Sequence, residues 1–162
     1  MDLNTYQNLA RQTAIYPGKD EARYGNLIGL TYTILGLIGE AAEYQQNPST
    51  AEKGDCFWYL SQIAYEIQIP LGHLSDFNPS DASHSALLPC AGTLANQYKK
   101  VFRDDNGILT TKRRTVLIEI LKESLWHLTK NSEDNIEAME KNIEKLSSRQ
   151  AKGVIAGEGD FR

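Results

Sequence analysis

The sequence predicts an all-α fold, a helical bundle of about six helices built around one antiparallel helix pair. Three observations lead there. Apolar residues recur at spacings of three and four along most of the chain, and no run alternates as a strand would. Turn-forming clusters such as Asn47-Pro48-Ser49 and Asp104-Asp105-Asn106-Gly107 cut it into helix-length pieces. At 162 residues, of which 41% are hydrophobic, the chain can bury one core, so a single domain over 1–162 is expected.

A first helix is predicted over residues 2–13, where Leu3, Tyr6, Leu9 and Ala10 share a face before Tyr16-Pro17-Gly18. The second, at 26–46, has the apolar stripe Leu30, Ile34, Leu37, Ile38 and Ala41. Beside that stripe run Gly36, Glu40 and Glu43, and Gly36 and Gly39 leave room for another backbone or a ligand. The third helix starts after Pro48, where Ser49 as N-cap and Glu52 three residues on fit a capping box. It runs to about residue 68, with Cys56, Phe57, Leu60, Ile63, Ala64 and Ile67 toward the core. Another face carries Glu52, Asp55, Tyr59, Gln62 and Glu66 with no lysine among them, unlike a salt-bridged solvated face. The turn-rich stretch 73–83 separates the halves, and further helices follow at 84–102, 112–130 and from Asn131-Ser132 onward. Ser132 is the expected N-cap of the last, with Ile136, Met139, Ile143 and Leu146 as its apolar stripe. The tail, 150–162, is rich in glycine and basic at both ends.

The second and third helices carry the chemistry. Glu40 with Glu43, and Glu52 with Asp55, are spaced i, i+3, so each pair projects from one helical face. The Asn47-Pro48-Ser49 turn folds the helices back and brings the pairs together. Four facing carboxylates repel one another and are costly to bury without a positive charge between them. Glu52 also has a purely structural explanation as the capping-box acid.

A net charge of −4 argues against a general nucleic-acid-binding surface. Cys56 and Cys90 have no metal-site spacing and are expected to be reduced core thiols. The N-terminal run is too polar for a signal peptide, and no apolar stretch approaches the roughly 20 residues of a membrane span, so a soluble, cytoplasmic protein without a membrane partner is expected. Two degenerate helix-hairpin repeats are also discernible, over 26–72 and 84–130. LGLIGEAAE at 35–43 is echoed by LPCAGTLAN at 88–96, and EKGDCFWYL at 52–60 by ILKESLWHL at 120–128. In the second copy Thr93, Asn96 and Ile120 stand at the positions of Glu40, Glu43 and Glu52, and only Glu123, opposite Asp55, keeps an acid.

GLIGEAAE followed by EKGDCFWYL resembles the ExxE…ExxD signature of the all-α nucleoside triphosphate pyrophosphohydrolases, the MazG-like proteins and their relatives among dimeric dUTPases. The run from Asn142 to Arg162 is similar to the closing segment of many MazG-like proteins, whereas 73–130 match only loosely. Two departures are Ala42, where a glycine is common, and the short connection of eight residues between Glu43 and Glu52. The resemblance implies metal ligation and catalysis by Glu40, Glu43, Glu52 and Asp55. It further implies hydrolysis of (deoxy)nucleoside triphosphates to monophosphate and pyrophosphate, and a homodimer. If the second repeat stands in for a partner subunit, a monomer results instead.

An all-carboxylate set selects Mg²⁺, or Mn²⁺, and no ligand set for zinc is visible. The triphosphate would meet Asn142, Lys145, Arg149, Lys152 and Arg162, with the glycine-rich tail closing as a lid. Tyr59, on the face of Glu52 and Asp55, is the expected aromatic of the pocket, and Trp58 and Trp126 are assigned to the core. Lys99, Lys100, Arg113 and Arg114 read as solvated surface. Two other functions fit the same residues: a non-catalytic helical interaction module, and a phosphohydrolase acting on nucleoside diphosphates or another diphosphate.

Overall fold

The computed structural model describes residues 1–156, the side chain of Ser132 excepted. Among them lie six α-helices and no strand: α1 Leu3–Gln12, α2 Ile28–Gln46, α3 Thr50–Glu66, α4 Leu87–Asp104, α5 Thr111–Thr129 and α6 Asn135–Ala151. The helices pack as a bundle, which bears out the predicted class. No helix among these residues is long and apolar enough to cross a membrane.

Local chemistry sets several boundaries. Asp2 accepts the N–H groups of Asn4 and Thr5 at the start of α1, and Ser49 accepts that of Glu52 at 3.2 Å at the start of α3, as its sequence position predicts. At the end of α3, Arg114 donates to the carbonyls of Ile67 and Gln68, satisfying groups the helix leaves open. Arg113 pairs with Asp105 and Gln97, so neither of these arginines is the free surface charge the sequence suggested.

Helix α3 is the hub, packed against α1, α2, α5 and α6. Its buried positions run almost the whole way round, from Phe57, Leu60 and Ile63 to Gln62 and Glu66. The acidic face that lacks lysines is therefore not solvated, and its counter-charges come from other helices. Arg11 of α1 donates to Gln62 at 2.8 Å and Glu66 at 3.0 Å, and the Tyr16 hydroxyl donates to Glu66 at 2.6 Å. The α4–α5 hairpin lies alongside α2–α3, with α4 against α2 and α5 against α3.

Three local expectations are corrected. Helix α4 begins at Leu87 rather than near His84, because the backbone and ring of His84 are engaged by Glu123. Helix α6 begins at Asn135 after a 3-10 turn, Ser132–Asp134, with Asp134 and not Ser132 at its N-cap position. Lys53 holds this turn by donating to the Asn131 carbonyl and to Asp134. The buried face of α6 is also rotated: Ile136 is 55% exposed, whereas Ala138, Met139 and Asn142 are buried. Gly54 is the reason, since a Cβ there would lie 2.8 Å from the Ala138 carbonyl oxygen and 2.9 Å from the Asn142 Cβ. A bare α-carbon on α3 lets α6 settle close. Of the two glycines singled out on α2, Gly36 is covered by the Tyr59 ring and Gly39 faces open space.

Candidate functional site

The α2–α3 hairpin brings Glu40, Glu52 and Asp55 together, with one carboxylate oxygen from each within 4.8 Å of the others. All three are half-buried. Glu40 is made a weaker acid, its pKa pushed up to about 7 by burial and then by the charges of Asp55, Glu43 and Glu52. Glu43 is exposed and stands outside the tight group, yet its charge reaches Glu40. Cys56 is buried on α3, and its thiol is pushed up by burial and by the same four acids. It is a core thiol and not a nucleophile.

Part of the positive charge the cluster needs comes from α6. The Lys145 ammonium straddles Asp55, donating to Oδ1 at 2.8 Å and to Oδ2 at 2.6 Å. Asn142, one turn earlier, donates its amide N–H to Oδ1 at 2.8 Å. The orientation of that amide is set by Tyr6, whose hydroxyl donates to Asn142 Oδ1 at 2.8 Å. Tyr6 is fully buried, and burial together with the Asp55 charge keeps its hydroxyl protonated. Sequence reasoning placed Tyr6 only in a core stripe. Nothing local could have revealed its role, because its partner Asn142 lies 136 positions away.

Tyr59 is half-buried against Gly36, one turn beyond Asp55. Its hydroxyl is made less acidic by burial, by a hydrogen bond with Tyr32 and by Glu40 and Asp55, which places the ring beside the acids. Trp58 meets Tyr59 edge-on at 4.9 Å and donates its indole N–H to Thr13 at 2.9 Å, so it buttresses the tyrosine. Tyr32 stacks on Tyr16 at 5.3 Å and is 43% exposed. The structure thus adds Tyr6, Tyr32 and Gly54 to the residues the sequence suggested.

Arg149 is buried one turn beyond Lys145. Lys152 is exposed past the last turn of α6, and no side-chain hydrogen bond joins it to the carboxylates among the described residues. Arg162, with the rest of 157–162 at the end of the proposed lid, lies outside the described residues.

Comparison with known proteins gives similarity without an activity. The chain is 27% identical over 166 aligned residues to the Gene 37 protein of Mycobacterium phage L5, with both chains covered in full. No family description matches the chain, and no solved structure matches it.

Proposed function

We propose that the chain is a Mg²⁺-dependent nucleoside triphosphate pyrophosphohydrolase of the MazG-like kind, serving nucleotide pool control or sanitation. One observation carries the reading: acids and amide-ammonium donors suggested by separate sequence motifs converge on Asp55, although Asn142 and Lys145 lie 87 and 90 positions from it. The donor set fits a hard divalent cation. It is all oxygen, Lys145 already seats a positive charge on Asp55, and Glu40, made a weaker acid by burial and by its acidic neighbours, would be relieved by a further cation.

Glu40, Glu52 and Asp55 would hold the ion, with Glu43 at the rim. When bound, Mg²⁺ supplies charge neutralisation for the triphosphate and activation of a water near neutral pH. The chain supplies the rest. Asp55 is kept in one orientation by Asn142 and, behind it, Tyr6. Lys145 would have to release Asp55 Oδ2 for a cation to use that oxygen, and in this reading would turn toward a phosphate oxygen. Arg149, one turn further along the same helix, is the second cation proposed for the phosphates. Glu40 holds a proton up to about pH 7, so cation uptake below that pH expels it. In this reading Tyr59 and the exposed face of Tyr32 would flank the base. Attack at the α-phosphorus, as the resemblance implies, releases monophosphate and pyrophosphate.

The test is a nucleotide panel with Mg²⁺, read by the product formed. Pyrophosphate plus monophosphate is expected; orthophosphate would point to a diphosphate-type phosphohydrolase. Silence across the panel would leave a non-catalytic module, and full activity in Glu40→Gln or Asp55→Asn would end the metal-site reading. A homodimer is part of the proposal, with Ile28 and Leu35 on α2 exposed at 55% and 63% and open to cover by a second copy. Light scattering that returns the mass of one chain would reject it.

A further inference from the structure

We propose that the α4–α5 hairpin carries a second, chemically different metal site, formed by His84, Cys90 and Glu123 and matched to Zn²⁺. This does not depend on the nucleotide-hydrolysing reading. One ligand atom from each residue lies within 4.8 Å of the other two, so modest side-chain rotations bring them to the ~2.0–2.3 Å bonds of a shared ion. Sequence spacing hides the set, because its members come from the loop before α4, the first turn of α4 and the middle of α5.

The arrangement around the three donors is that of a supported metal site. Metal-binding side chains usually direct one atom to the ion while a neighbour fixes the other. Glu123 Oε1 accepts the backbone N–H groups of Ser83 and His84, each at 2.7 Å, which leaves Oε2 facing His84 Nδ1 at 2.9 Å. His84 Nε2 lies 2.8 Å from the Thr93 hydroxyl, so a metal on Nδ1 would put the ring proton where Thr93 can accept it. His127 sits behind them. Its Nδ1 faces the Lys130 ammonium at 3.2 Å and must accept, so its Nε2–H donates to the His84 carbonyl at 3.0 Å and fixes that backbone.

Charge and softness select the ion. A thiolate and a carboxylate match the two charges of a dication, leaving a neutral assembly suited to a buried position. Mixed sulfur, nitrogen and oxygen donors favour Zn²⁺ over Mg²⁺. Without an ion, burial and the Glu123 charge push the Cys90 thiol up to about 12, and a coordinated dication reverses that preference. On binding, the Cys90 thiol proton leaves to solvent, while the one ring proton of neutral His84 moves from Nδ1 to Nε2, where Thr93 accepts it. The His84 side chain is 18% exposed, which gives water access to a fourth position.

The experiment titrates the metal-stripped full-length protein with Co²⁺ in the presence of excess Mg²⁺. One equivalent should give thiolate-to-cobalt charge-transfer absorption, and added Zn²⁺ should remove it. Asp55→Asn and Cys56→Ser should retain the band, and Cys90→Ser should lose it. Thr93→Val, a milder change in case the buried cysteine variant does not fold, should weaken Co²⁺ binding about 10–100-fold. The proposal is overturned if the wild type shows no such band, if Mg²⁺ abolishes it, if it survives Cys90→Ser, or if Thr93→Val leaves the affinity unchanged.

Discussion

The two helical hairpins treat a central acid in opposite ways. On α3, Asp55 shares its space with Glu40 and Glu52 and draws its counter-charge from Lys145 on a different part of the chain. On α5, Glu123 has Thr93 nearby at the position that the internal similarity pairs with Glu40, and its oxygens are met by Ser83 and His84 in the adjoining loop. The electrostatic outcome differs accordingly. Burial and neighbouring acids raise Glu40 to about 7, whereas Glu123, although burial opposes it, is held below the usual carboxylate range by hydrogen bonds from His84 and Ser83. The lesson is that one helix-pair layout can be finished as a charge-stressed cluster of acids or as a hydrogen-bonded knot around a single acid. The first stores its repulsion and the second has relieved it.

The sharpest way to break this comparison is to remove each acid in turn. Glu123→Ala should cost about 2–3 kcal/mol of unfolding free energy in denaturant melts, because it takes the acceptor from the part-buried N–H groups of Ser83 and His84 and from the His84 ring. Glu40→Gln should cost no stability at neutral pH, and equal losses in the two variants would erase the distinction. The next effect tests the proposed hydrolysis. Asp55→Asn should lower nucleotide hydrolysis by about 100-fold or more, while Thr93→Ala stays within about twofold, measured as pyrophosphate release.

A pH series sharpens the same contrast. Glu40 rises from 4.5 to about 7 on folding, so the folded state binds its proton more tightly than the unfolded state. Its contribution is present in full below pH 4.5 and is lost as pH climbs to about 7. Allowing for its partial exposure, the loss is on the order of 1 kcal/mol, and the metal-free wild type minus Glu40→Gln difference should show it. A flat difference would mean that the three acids are not crowded. The smallest effect is expected of Tyr6→Phe, which leaves the Asn142 amide unanchored: about 1 kcal/mol of stability and a few-fold weaker Mn²⁺ binding in a calorimetric titration.

Much of this was legible beforehand, and for an identifiable reason. Helical periodicity, the Ser49 cap and the i, i+3 acid pairs depend on residues within a turn of one another, so the hairpin and three acids that meet could be read directly. The corrections arose where distant groups intervene. Lys53 holds the turn before α6, Gly54 rotates the buried face of α6, and Glu123 keeps His84 out of α4. The lysine-free face of α3 is visible in the sequence, but its compensation by Arg11 and Lys145 cannot be read from α3 alone.

The all-α class, the helix pair and the presentation of acids on shared faces were therefore determined by the sequence itself, since a helix repeats every 3.6 residues wherever it is placed. Tertiary structure decided that Glu40, Glu52 and Asp55 meet while Glu43 stays at the edge, and that Tyr6, Asn142 and Lys145 answer Asp55. It also decided that His84, Cys90 and Glu123 form one cluster. Charge compensation and ligand convergence act through space across a few ångströms, and the partners that arrive there depend on how helices separated in sequence come to pack.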